Sequence, residues 1–258
     1  MSRIFEMLQR AKEQTGEVVV STDTEDTSLL GDSGRAFYAE HSGNGATALA
    51  PLDSLCRAQL DNIIHRLFLG PPKAKTVVFS SVERGAGCTW MTGHVASTLA
   101  ARVKGSVCLV DGNVHWPALH RLFDISNDIG LPEAVGDASF SKKFVQPTSA
   151  PNLWLLPNRA TLNRNTVPAA KYIGAIIKQL NMEFNYVLVD APPLNVYSDA
   201  ISIAAQTDGL ILVLKANSSR REIAQKALQD VKAANVSLLG AILNQRTFPI
   251  PEALYKLL

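Results

Sequence analysis

Six short apolar runs recur along the chain: 75–80 (KTVVFS), 106–111 (SVCLVD), 152–157 (NLWLLP), 186–190 (YVLVD), 209–214 (GLILVL) and 238–243 (LLGAIL). Stretches of helical character separate most of them, notably 90–103, 169–181, 198–206 and 219–234, and 52–69 reads as a helix ahead of the first run. A strand with one wet face alternates apolar and polar residues, whereas these runs are apolar almost throughout and need cover on both faces. Apolar strands interleaved with helices therefore predict an α/β fold in three layers, with a mainly parallel sheet between two layers of helix. The 258 residues suffice for one such domain and a tail.

Composition narrows the functions. The net charge is +2, with 19% charged and 47% hydrophobic residues, so nothing draws the chain strongly to nucleic acid or to an anionic membrane, and no nucleic acid partner is expected. Cys56, Cys88 and Cys108 are neither an even set nor spaced as metal ligands, which fits a reducing compartment. No apolar run approaches the ~18 residues that span a bilayer, and the opening MSRIFEMLQRAKEQ lacks the apolar core of a signal peptide. The expected location is the cytoplasm.

Three regions follow from the pattern. Ile4, Phe5, Leu8 and Ala11 fall at helical spacing, so residues 1–15 predict an amphipathic helix. Residues 16–50 are rich in Ser, Thr, Gly and acids and predict a flexible linker. Residues 51–258 carry the α/β pattern.

Parallel sheets bind ligands beyond the carboxyl ends of their strands, and here those ends hold the informative residues. The first strand runs into Arg84-Gly85-Ala86-Gly87-Cys88-Thr89 at the start of a helix, where glycines let backbone N–H groups approach phosphate oxygens. Thr89 stands where a hydroxyl reaches magnesium. Asp111 and Asp190 end two further strands, and two carboxylates beside one phosphate loop can hold magnesium and orient a water or hydroxyl. Alone, a Gly-rich turn is usually a turn and a strand-end Asp a helix cap. Their order along one chain makes the combination specific, with Asp111 and Asp190 as candidate catalytic residues and Thr89, Asp111 and Asp190 as candidate metal ligands.

With VCLVDGNVHWPALHRLF, VLVDAPP, LLGAILNQRTFPIPEALY, IGLPEAV and PNLWLLPN, residues 52–258 resemble the bacterial tyrosine kinases of capsule and exopolysaccharide assembly, the CpsD/CapB type and the Wzc cytoplasmic domain. These are relatives of the MinD/ParA P-loop ATPases. The resemblance implies a P-loop NTPase fold in which 81–89 is the Walker A loop, Asp111 lies in the second acidic motif, Asp190 is the Walker B residue and Asn244 faces the adenine. It implies ATP or ADP with Mg2+ as cofactor, a homo-oligomer, and a membrane polysaccharide co-polymerase or export protein as partner. Through that partner the chain would lie at the inner membrane.

The pattern also departs from the family. Cys88 stands where lysine contacts the β and γ phosphates, and a short neutral thiol cannot make charge-assisted bonds worth roughly 1.5 to 3 kcal/mol, so nucleotide binding is expected to weaken by about one to two orders of magnitude. Position 113 is Asn where the family has a second acid; the tail after Asn244 has Tyr255 alone where the family has several tyrosines; and CRAQLDNIIHRL lacks the acid and paired arginines used to form rings. Arg84 could supply a guanidinium to the phosphates or be a solvated turn residue, the latter being preferred. Cys88 could be a thiol activated by the helix N-terminus or simply a small residue that fits the turn, the latter being preferred. Glu83 would repel phosphate, Trp90 and Trp154 read as core aromatics, and His115 as a solvated histidine.

Three functions stay open: a nucleotide-binding or pseudo-kinase regulator of exopolysaccharide assembly, an active ATP-dependent tyrosine autokinase, and a MinD/ParA-like positioning ATPase.

Overall fold

Successive side chains of a strand point to opposite faces, and the second strand, β2 (Thr76–Ser81), finds apolar cover on both. Val78 joins one core cluster while Val77 and Phe79 join the other. β3 (Val107–Asp111) divides likewise, with Cys108 and Val110 on the first face and Val107 and Leu109 on the second. The computed structural model describes residues 18–23, 49, 52, 54–71, 73–136, 142–159, 170–216 and 218–246.

Among the described residues the first helix, α1 (Ser54–Ile64), runs on through a π-helical turn (His65–Leu69) to β2, and α2 (Cys88–Arg102) joins β2 to β3. Two short helices follow, α3 (Leu119–Leu122) and α4 (Leu131–Gly136), then β4 (Gln146–Pro147) and β5 (Leu153–Leu156). The chain continues through α5 (Ala170–Glu183), β6 (Tyr186–Asp190), α6 (Asp199–Ala204), β7 (Gly209–Lys215), α7 (Arg221–Ala233) and β8 (Leu238–Arg246). Residues of α1 and α2 pack on one face of the sheet, and residues of α5, α6 and α7 on the other.

Among the described residues the sheet has eight strands, with β1 (Val18–Asp23) at one edge, in the order β1-β8-β7-β2-β6-β3-β5-β4, all neighbours pairing parallel except β4 with β5. From β2 the chain builds outward to β3 and β5, returns to insert β6 between β2 and β3, then proceeds to β7 and β8 on the other side. That reversal opens a crevice at the carboxyl ends of β2 and β6, the topological switch point where such sheets bind ligands.

The six apolar runs are β2, β3, β5, β6, β7 and β8. The linker expected over 16–50 needs correction at one end: Val18–Asp23 forms β1, paired parallel to β8 with Val18 opposite Gly240 and Ser21 opposite Leu243. The acids and glycines around it drive the linker composition, whereas VVVSTD itself is β-branched and an open edge strand lies ready to receive it. The helix expected over 1–15, most of the remaining linker and Tyr255 lie outside the described residues.

Candidate functional site

β2 ends in the buried Ser81, and residues 82–87 turn the chain into α2. Gly85 and Gly87 have φ of 80° and 79°, left-handed values that a side chain strains, so both glycines are required by the turn. At Gly87 space is a second constraint, because a Cβ there would lie 2.4 Å from Asn244 Nδ2. Asn244, near the end of β8, donates from Nδ2 to the Ala86 carbonyl at 2.9 Å, and Gln245 Nε2 donates to the Gly85 carbonyl at 3.5 Å. Asn244 thus braces the loop backbone.

Thr89, in the first turn of α2, donates from Oγ1 to Asp190 Oδ2 at 2.6 Å. Asp190 and Asp111 are register partners on β6 and β3, so two carboxylates end adjacent strands directly beside the loop. Asp111 Oδ2 accepts the backbone N–H groups of Ala118 and Leu119 at 3.0 and 3.1 Å and so holds the start of α3. Its Oδ1 and the Oδ1 of Asp190 are buried and find no hydrogen-bond partner among the described residues. Burial raises both carboxyls: Asp190 is pushed up to about 6 against the pull of the Thr89 and Cys88 hydrogen bonds, and Asp111 rises well above the usual range through burial and then the Asp190 charge.

Cys88 opens α2 but is buried in an apolar cluster with Ala86 and Met91, its Sγ 3.9 Å from Thr92 Oγ1. Burial, followed by the nearby Asp190 charge, pushes the thiol well up, so Cys88 is a neutral, small residue in the turn rather than an activated thiol. Desolvation outweighs the helix dipole here. Glu83 turns to the loop after β7, where its Oε1 accepts from Ser219 Oγ at 2.9 Å.

Arg84 is exposed, with its guanidinium carbon 4.0 Å from the centre of the Trp116 ring. Trp116 lies 5.6 Å from Tyr197 edge to face, and His115 stacks on Tyr197 at 3.5 Å with its Nε2 3.1 Å from Asp199 Oδ2. The solvated histidine expected at 115 is thus a packed and paired one. Asn113, in place of an acid, accepts the Trp116 backbone N–H on Oδ1 at 3.1 Å. Trp90 and Trp154 are half-buried against the two core clusters, as core aromatics.

Residues 84–89 thus form the turn and the start of α2, with Asn244 bonded to Ala86, Asp190 to Thr89, and Asp111 beside Asp190 on the neighbouring strand. Sequence reading missed Tyr197, Asp199, Ser219 and Gln245; the first two follow VLVDAPP closely, and their proximity to Asp190 was the available signal. Among the described residues no group of three or more His, Cys, Asp or Glu side chains is arranged to hold a metal ion. Magnesium needs less from protein, one or two carboxylates with phosphate oxygens and waters, and the two orphaned carboxylate oxygens beside Thr89 suit that demand. No helix among the described residues is long and apolar enough to cross a membrane.

A parallel sheet between helical layers, with a glycine turn leading from β2 into α2 and carboxylates on neighbouring strand ends, is the P-loop NTPase fold. The relatives of this chain are bacterial tyrosine kinases. It is 27% identical over 176 residues to the tyrosine-protein kinase YwqD of Bacillus subtilis, covering 66% of this chain and 72% of that protein. To the tyrosine-protein kinase CpsD of Streptococcus agalactiae it is 25% identical over 173 residues, covering 66% and 75%. Among solved structures, the kinase domain of the Escherichia coli tyrosine kinase ETK superposes with a TM-score of 0.72 at 18% identity over 97% of this chain and 98% of that one. The septum site-determining protein MinD of Pyrococcus horikoshii, complexed with Mg-ADP, superposes at 0.58 and 23% identity over 71% and 77%. No protein-family model matches the chain.

Proposed function

We propose that this chain is a nucleotide-binding pseudo-kinase of exopolysaccharide or capsule assembly, which works in the cytoplasm through a membrane polysaccharide co-polymerase or export protein. The carrying observation is Cys88, buried and neutral at the helix start where a kinase of this type has lysine, beside an otherwise intact set of Thr89, Asp190 and Asp111. Residues 85–89 would wrap the phosphates of ATP or ADP with backbone N–H groups at the α2 N-terminus. Thr89, Asp111 and Asp190 would hold magnesium, which when bound supplies positive charge against the phosphate oxygens. Thr89 would have to release Asp190 Oδ2 to do so.

Without the lysine, charge developing on a transferring phosphoryl group goes unanswered at its usual position, and the loss in rate exceeds the loss in affinity. Binding survives better than turnover. Nucleotide then acts by favouring one conformation, through contacts that differ between two states. The likeness to tyrosine-protein kinases and to a Mg-ADP-binding neighbour supports this reading.

The test is phosphotyrosine on the purified full chain after incubation with ATP and magnesium. The expected result is no signal above that of Asp190→Ala, with Tyr255→Phe leaving polysaccharide output in cells unchanged. Abundant phosphotyrosine that vanishes in Asp190→Ala would make the chain an active autokinase instead.

A further inference from the structure

We infer that Trp116 is a positioning residue for Arg84, and that Arg84 so held is the side-chain cation that meets nucleotide phosphate in place of the missing lysine. The inference rests on the nucleotide-binding reading above. Arg84 lies inside the loop, four residues before Cys88, with the left-handed Gly85 directly after it. Among the described residues it has no hydrogen bond or ion pair, and its adjacent acid, Glu83, is engaged by Ser219. Its guanidinium carbon lies over the face of Trp116, 4.0 Å from the ring centre.

That contact leaves the working edge of the group unused. A guanidinium stacks on an aromatic ring through its flat face, while its five N–H donors lie in its plane and stay available to phosphate oxygens. A flexible exposed arginine would give up rotamer freedom on meeting phosphate, and stacking beforehand removes part of that loss. The platform is itself fixed from two sides, since Asn113 accepts the Trp116 backbone N–H and Tyr197 meets the ring edge, and Tyr197 is tied through His115 to Asp199. The loops after β3 and β6, which carry Asp111 and Asp190, thereby support an arm of the phosphate loop. Lysine, with a point charge and no flat face, could not use this platform in the same way.

The test is a double-mutant cycle on the full chain, titrated with MgADP by calorimetry. Arg84→Ala weakens binding about tenfold or more, the value of a charge-assisted contact. Trp116→Leu weakens it about two- to fivefold, the value of an exposed cation–π contact, and Trp116→Phe, which keeps an aromatic face, stays within about twofold of the parent. The double variant Arg84→Ala, Trp116→Leu binds no more weakly than Arg84→Ala alone, because Trp116 acts through Arg84. Arg84→Ala also changes the tryptophan emission of the nucleotide-free protein, and makes no such change when Trp116 is already Phe. Losses that add in the double variant, or MgADP binding unaffected by Arg84→Ala, would overturn this inference alone. Absence of MgADP binding by the parent chain would overturn it together with the nucleotide-binding reading.

Discussion

Asp190 holds together the two halves of the site, accepting from Thr89 on one oxygen while leaving the other buried and unpartnered. Its carboxyl rises from 3.8 to about 6 because burial disfavours the charge more than its hydrogen bonds favour it. The folded state therefore binds this proton more tightly than the unfolded chain. The associated stabilisation is complete below pH 3.8 and is lost as pH rises through about 6, an effect of about 3 kcal/mol at most for a shift near two units. Asp190→Asn removes the ionisation and leaves an oxygen for Thr89. Its urea midpoint should exceed that of the parent at pH 7.5, with the gap closing towards pH 4; an equal gap at both values would mean that the Asp190 charge does not oppose folding. Asp111, raised by burial and by Asp190, adds to the same trend.

Between elements, the loop from β2 to α2 depends on β8, far away in sequence. Gly85 and Gly87 share nearly the same left-handed φ, but a Cβ meets nothing within 4 Å at Gly85 and lies 2.4 Å from Asn244 Nδ2 at Gly87. Gly85→Ala should cost about 1–2 kcal/mol for its backbone alone. Gly87→Ala should cost more, since it must also displace Asn244 and break the 2.9 Å bond to Ala86. Combining Gly87→Ala with Asn244→Ala should recover the steric part in chemical denaturation, and equal costs for the two single glycine variants would contradict the brace. The sequence announced the glycine turn and both strand-end acids, because local chemistry demands them at the end of a buried strand. It could not announce that Asn244 packs on Ala86, that Cys88 is desolvated or that His115 stacks on Tyr197, since each depends on which strands become neighbours. β1 was hidden for a related reason: six β-branched and polar residues inside a linker-like segment become a strand only where the edge of β8 waits for them.

Across the molecule the two ends of the sheet differ in kind. Lys73, Lys75, Arg102 and Lys104 line a cavity of about 460 Å³ at the amino-terminal ends of β2, β3 and β6. There Arg102 pairs with Asp61 at 2.6 Å and Lys75 Nζ donates to the Asn181 carbonyl in the last turn of α5 at 2.8 Å, so these two cations are already engaged, the second by a helix carboxyl end. The opposite end has the glycine turn, the helix N-terminus and two under-coordinated carboxylates, and it is the end at which we propose that phosphate binds. Of the departures there, the one expected to weigh most on nucleotide affinity is Cys88 at the start of α2. The direct measurement is calorimetric titration of MgADP into the full chain and into Cys88→Lys. Weak binding that the lysine tightens about tenfold or more is the predicted result, by the charge-assisted bonds regained. No binding to either protein, or an affinity that the lysine leaves unchanged, would contradict it.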